Sequence, residues 1–125
     1  ELVREPLILR ERGSGTRATF ERALQKRGLG HEKLDVWLEL GSTEAVKMAV
    51  RTADAVAVLS RWSIGDEVGA GLLCAMPVED LDLRRSFYAV RRTHGYLSVA
   101  SERFIEAVRQ SMTEPPRLAG APATV

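Results

Sequence analysis

The chain has 125 residues, 45% of them hydrophobic and only 6% aromatic, which suits a single globular domain with a modest core. Eighteen basic residues against seventeen acidic ones leave a formal net charge of +1, so no global field recruits nucleic acid or an acidic membrane surface. The longest apolar run, near Ala53 to Ser60, is interrupted by Asp54 and falls far short of the roughly 20 residues a spanning helix needs.

Leu7-Ile8-Leu9 after Pro6 predicts a short strand that ends in the glycine-bearing loop Arg10 to Arg17. From Thr16 to Arg27, Phe20, Ala23 and Leu24 fall at i, i+3 and i+4, with Gly28 placed as a stop, the pattern of an amphipathic helix. Val36, Leu38 and Leu40 alternate with Trp37 and Glu39, the period of a strand. Gly41-Ser42-Thr43-Glu44 then supplies a hydroxyl cap and a first-turn carboxylate, before Ala45, Val46, Ala49 and Val50 mark the buried stripe of a second helix. Ala55 to Leu59 is continuous and partly β-branched, as expected of a strand covered on both faces. Strands alternating with helices make the fold class α/β with a mostly parallel sheet flanked by helices.

After Arg61-Trp62-Ser63 a short helical or irregular stretch runs to Gly69-Ala70-Gly71, and Leu72 to Val78 is expected to be a strand that buries the lone cysteine, Cys74, as an inert thiol. Asp80 to Leu83 is a connection, and Ser86 to Arg92, with Phe87, Tyr88, Ala89 and Val90 between basic residues, carries another strand signature that Thr93-His94-Gly95 breaks. Leu97, Ala100, Phe104, Ile105, Val108 and Met112 track one face of a final helix, Ser98 to Met112, that is expected to pack on something apolar. From Thr113 onward the proline-rich sequence reads as a flexible tail. The first six residues lack the apolar core and cleavage site of a secretory signal, and without an initiator Met the chain reads as a fragment or processed product.

Gly13-Ser14-Gly15-Thr16-Arg17 stands where a strand hands over to a helix, so free backbone N–H groups, two hydroxyls and a guanidinium can converge on an anion. The competing reading is a shaped turn, a plain cap and a solvent-exposed Arg17. Ser42 and Thr43 repeat the arrangement at the next strand-to-helix turn, where Ser42 also reads as an ordinary cap, and ligands of open α/β sheets collect at this edge. Ser60, Arg61 and Trp62 close the third strand with a hydroxyl, a charge and an aromatic wall, or else with an interface tryptophan. The phosphate-binding GxxxxGK[ST] pattern is absent, His31 and His94 have no ligands at metal spacing, and no nucleophile, acid–base pair or cofactor motif stands out. An enzyme, a cofactor and a metal are therefore not expected.

The string Pro6 to Arg17, followed by Phe20 and Leu24, resembles the hinge-to-second-subdomain segment of LysR-type transcriptional regulators. Gly41 to Lys47, Ala57 to Trp62, Glu67 before Gly71-Leu72-Leu73, Arg85-Ser86-Phe87-Tyr88 and the last helix with Phe104 continue the resemblance in order, over roughly residues 6 to 112. It implies a type II periplasmic-binding-protein-like sensor in which two α/β subdomains clamp a small, often anionic effector. Residues 6–78 would form the second subdomain, residues 79–112 the return strand and closing helix of the hinge and first subdomain, and 113–125 the tail. Ser14, Gly15, Thr16, Arg17, Ser42, Thr43 and Ser60 become the expected ligand-binding residues, and DNA contact belongs to a helix-turn-helix domain outside this chain. A cytoplasmic homo-oligomer is implied. The chain departs from the family at Thr52-Ala53-Asp54-Ala55, where a glycine-rich turn is usual, which puts a carboxylate near the hinge.

The alternative reading is a fragment of an extracytoplasmic oxyanion or solute-binding protein, whose class uses similar Gly-Ser-Gly-Thr turns and which a signal peptide would distinguish. A pure interaction module, pairing two copies through an exposed sheet edge and the last helix, is a further possibility.

Overall fold

The computed structural model describes residues 4–78 and 80–112; the expected tail lies outside them. Strand β1 (Leu7–Arg10) leads into helix α1 (Gly15–Gln25), strand β2 (Val36–Leu40) into helix α2 (Thr43–Thr52), and strand β3 (Val56–Ala57) into a 3-10 turn at Arg61–Ser63 and the short helix α3 (Gly65–Gly69). The three strands form a parallel sheet in the order β2-β1-β3. The chain thus steps from β1 to one neighbour and returns over β1 to the other.

β1 is central because it is the strand that can be buried on both faces: Leu7, Ile8 and Leu9 are sealed from solvent. Leu7 and Leu9 point to the side where α1 presents Phe20 and Leu24. Ile8, one residue out of phase, faces the other side, where α2 packs on β1 and brings the fully buried Val46. The segment after α3 adds Leu81 and Leu83 to the α1 side of the core. α1 ends three residues before Gly28, whose φ of +70° turns the chain away, and Leu29 returns its N–H to the carbonyl of Leu24 at 3.0 Å.

Helix α2 is fastened to the following segment by a buried lysine. The Lys47 ammonium donates to Glu67 Oε1 at 2.6 Å and to the Ser63 carbonyl at 3.1 Å, and it pairs with Glu44 at 2.8 Å. These hydrogen bonds, Glu44 before Glu67, raise the lysine's pKa, and Lys47 in turn holds the Glu67 carboxyl below its ordinary value of 4.5. A depressed carboxylate contributes stability that is complete above its unfolded pKa and is lost as pH falls through the folded one. The urea midpoint therefore drops as pH is lowered below about 4.5. Glu67→Gln makes that drop shallower without abolishing it, because Glu11, Glu39 and Asp82 are also depressed, Asp82 to about 2 beside Arg84. Midpoints measured from pH 7 to pH 3 decide this, and an unchanged slope in the variant would remove the pair as a source of acid sensitivity.

Five expectations from the sequence are corrected. Residues 72–78 and 86–92 are not strands, the third strand is only Val56–Ala57 rather than Ala55 to Leu59, and Cys74 is exposed. The final helix, α4 (Val99–Ser111), does form, with Ser98 accepting a capping bond from the Ser101 N–H at 3.2 Å. It buries none of its residues, however, and Phe104 is exposed. The common reason is that apolar period and β-branching report a face suited to burial, whereas a strand also needs a neighbour for its ladder and a helix stripe needs a surface opposite. Among the described residues neither is supplied to this stretch, and Phe87, Tyr88, Val90 and Tyr96 remain exposed.

Candidate functional site

Because the strands are parallel, the turns that follow them emerge along one edge of the sheet. At the first, Gly13 takes φ +100°, a left-handed conformation that lets Ser14 return its N–H to the Glu11 carbonyl at 3.1 Å. Ser14 is the N-cap of α1 and its carbonyl accepts from the Ala18 N–H at 2.9 Å, yet its hydroxyl makes no capping bond. The Thr16 hydroxyl likewise has no hydrogen-bond partner among the described residues. The first-turn N–H groups of Gly15, Thr16 and Arg17 have no acceptor within the helix, so this end carries the positive pole of the helix dipole.

At the second turn the hydroxyls are already engaged. Ser42 caps α2 by accepting from the Ala45 N–H at 3.1 Å, and Thr43 Oγ1 accepts from Arg10 Nη1 at 2.7 Å. The same Arg10 is held by Glu11 at 2.8 and 2.9 Å, so the residue that ends β1 ties the first turn to the second. At the third turn the Ser60 carbonyl accepts from both the N–H and the hydroxyl of Ser63, at 2.9 and 2.7 Å. Its own hydroxyl has no partner among the described residues, and Trp62 beside it is exposed.

Arg17 does not face open solvent. It is 3% exposed, and its guanidinium donates to Glu21 Oε1 at 2.8 Å, to the Arg10 carbonyl at 2.9 Å and to Glu39, with His31 Nε2 at 3.4 Å. Burial works to lower its pKa, but hydrogen bonds to Glu21 and then Glu39 outweigh that and raise it, while Arg17 depresses Glu39. One side chain thus clamps α1, β1 and β2 together directly beneath the glycine turn. A cavity of about 300 Å³ runs along the flank of this clamp, lined by residues including Arg12, Gly13, Arg17, Glu21 and His31. Ser14, Thr16, Ser42, Thr43 and Ser60 do not line it, so the cavity and the row of hydroxyls are separate features.

Asp54 precedes β3 and therefore lies toward the amino edge of the sheet, opposite the hydroxyl-bearing turns. Its carboxylate does not stand against an anion there. Sequence reasoning missed Arg10, whose position at a strand end reads equally as an exposed loop residue, and it missed the Lys47–Glu67 pair, which a spacing of twenty residues cannot reveal. It also placed Arg85 in a return strand, whereas the guanidinium of Arg85 lies over Gly15. Among the described residues there is no group of three or more His, Cys, Asp or Glu side chains able to hold a metal, and no helix is long and apolar enough to cross a membrane.

The family model described as LysR substrate binding domain matches residues 1–113. The chain is similar to the HTH-type transcriptional activator CmpR of Synechocystis sp., with 35% identity over 84% of this chain and 34% of that protein. It is also similar to the uncharacterized HTH-type transcriptional regulator YeiE of Escherichia coli K12, with 38% identity over 85% of this chain and 35% of that protein. The HTH-type transcriptional regulator CbbR of Xanthobacter flavus is 31% identical over 96% of this chain and 36% of its own length. The chain thus spans about a third of the length of these relatives.

Proposed function

The chain belongs to the LysR substrate-binding domain family, with its type II periplasmic-binding-like fold, and from that premise we propose that it is the effector-sensing module of a LysR-type regulator, binding a small anion at the carboxyl edge of its sheet. The observation that carries this reading is the set of hydroxyls on Ser14, Thr16 and Ser60 that no protein group among the described residues satisfies. They follow β1 and β3, on either side of the point where the strand order turns back, which is where ligands of open α/β sheets bind. The N-terminus of α1 adds donors and a favourable dipole for negative charge. Gly15 admits close approach to those donors, Ser42 and Thr43 border the ligand from the second turn, and Arg17 holds the first turn in shape from beneath.

Residues 6–78 then form the second effector-binding subdomain, and residues 79–112 belong to the hinge and first subdomain. The exposure of Phe87, Tyr88, Val90 and Phe104 supports that division, since such an apolar surface calls for a cover. Effector binding between the subdomains would shift the balance between their arrangements and so alter the geometry of a homo-oligomer on DNA. DNA itself is gripped by a helix-turn-helix domain outside this chain, in the cytoplasm. The relatives named above are transcriptional regulators rather than enzymes or solute carriers, which favours sensing over the solute-binding alternative.

A thermal-shift screen of the chain against small inorganic and organic acid anions tests the reading. A true effector raises stability by RT ln(1 + [L]/Kd), about 2.7 kcal/mol at a hundredfold excess over Kd. Thr16→Ala abolishes the ligand-induced increment. Ser42→Ala is read in the same way, by the increment and not by the melting temperature alone, because loss of the cap itself costs about 1 kcal/mol. A folded chain that responds to no anion, or a response that survives Thr16→Ala, would count against this site.

A further inference from the structure

Arg85 lies on the segment that follows the Leu81–Leu83 contact with the core, and its guanidinium reaches back over the first turn of α1. A Cβ built on Gly15 would stand 2.7 Å from Arg85 Nη1, so a side chain at position 15 would push the guanidinium from its present place. The guanidinium carbon sits 4.7 Å from the centroid of the Phe87 ring. That cation–π contact uses none of the N–H donors of the group, and among the described residues no hydrogen bond or ion pair engages them.

A cation at the positive end of a helix is an unfavourable pairing unless negative charge comes between them. The nearby carboxylates are committed elsewhere: Glu11 to Arg10, and Glu21 and Glu39 to Arg17. A second, independent feature marks the same spot. Among the described residues the hydroxyl of Ser14, a residue 8% exposed, has no partner, yet no fully buried side-chain oxygen or nitrogen is left unsatisfied. The Ser14 hydroxyl is therefore not sealed in. It belongs to a buried residue at the N-terminus of α1, one position before the glycine that Arg85 covers.

We propose that Arg85 is an effector-binding residue, completing with the Ser14 hydroxyl and the first-turn N–H groups of α1 a site for a terminal oxyanion of the carboxylate, phosphate or sulfate class. The proposal rests on the effector reading above and adds to it the residue that selects charge. One oxygen of the group would take the helix N–H groups and Ser14, and another the guanidinium fork. Gly15 has an ordinary φ, so its lack of a side chain leaves room at this turn both for the guanidinium of Arg85 and for a ligand on the helix N–H groups.

The test is an NMR titration of the isotope-labelled chain with inorganic phosphate and, separately, with acetate, at ionic strength held constant with sodium chloride. In the wild type the Gly15 and Thr16 amides and Arg85 Nε shift together and saturate with one Kd for at least one of the two probes. Arg85→Ala weakens that Kd by about tenfold or more, Arg85→Lys restores part of it, and Gly15→Ala, which displaces the guanidinium without altering charge, weakens it as well. Arg85 is exposed, so its replacement leaves the fold intact. If Gly15 and Thr16 saturate in Arg85→Ala with the wild-type Kd, the role of Arg85 is overturned while the anion site on α1 stands. If neither amide saturates in the wild type with either probe, both the site on α1 and the role of Arg85 are overturned.

Discussion

Replacing Phe20 by Ala lowers the free energy of unfolding by about 3–5 kcal/mol. Phe20 is wholly buried, it is the largest side chain in the interior, and it links α1 to Leu7 and Leu9 of the central strand. Its removal takes away both the transfer free energy of the ring and the packing of everything that touched it, since neighbours on a sheet relax only partly into the space. Against the 5–15 kcal/mol typical of a whole domain, roughly, this is a large share, and the variant is partly unfolded at temperatures the wild type tolerates. Urea unfolding should show the midpoint displaced with its slope unchanged. A loss below about 1 kcal/mol would mean that α1 does not depend on this contact.

The second large effect is expected at Arg17. Arg17→Ala costs about 2–3 kcal/mol, less than most broken buried ion pairs cost, because Glu21 and Glu39 keep access to water and are rehydrated when the guanidinium is gone. The Arg10 carbonyl loses its donor as well, and the arginine stem leaves a gap between α1 and the sheet. Arg17→Lys recovers only a fraction. An ammonium group cannot reach acceptors on α1, β1 and β2 at once, whereas the planar fork does. Chemical denaturation of the two variants beside the wild type settles the point, and a lysine variant as stable as the wild type would show that charge alone, and not the fork, holds these elements together.

This clamp also shows how far a sequence can be read. Arg17 was legible as a residue of interest from its place after Gly13-Ser14-Gly15-Thr16, but in the folded chain its guanidinium turns inward. What sent it inward was Glu39, twenty-two residues away on a strand whose register against β1 no local pattern specifies. Ser42 illustrates the opposite case. Its reading as a cap follows from the residues just after it, and the bond to the Ala45 N–H is that local chemistry realised.

The sequence by itself determined the alternation of strands and helices through Thr52, the class of fold, the cap at Ser42, the glycine turn before α1 and the resemblance to a LysR substrate-binding domain, all of which rest on period, capping and turn chemistry within a few residues. Tertiary structure alone decided that Leu72 to Val78 and Ser86 to Arg92 are not strands, that Arg17 is a buried clamp, that Lys47 is joined to Glu67, and that Arg85 stands over Gly15. Each of these depends on a partner distant in the chain, and whether a ladder, an ion pair or a cation over a helix end forms is a matter of where the folded backbone brings that partner.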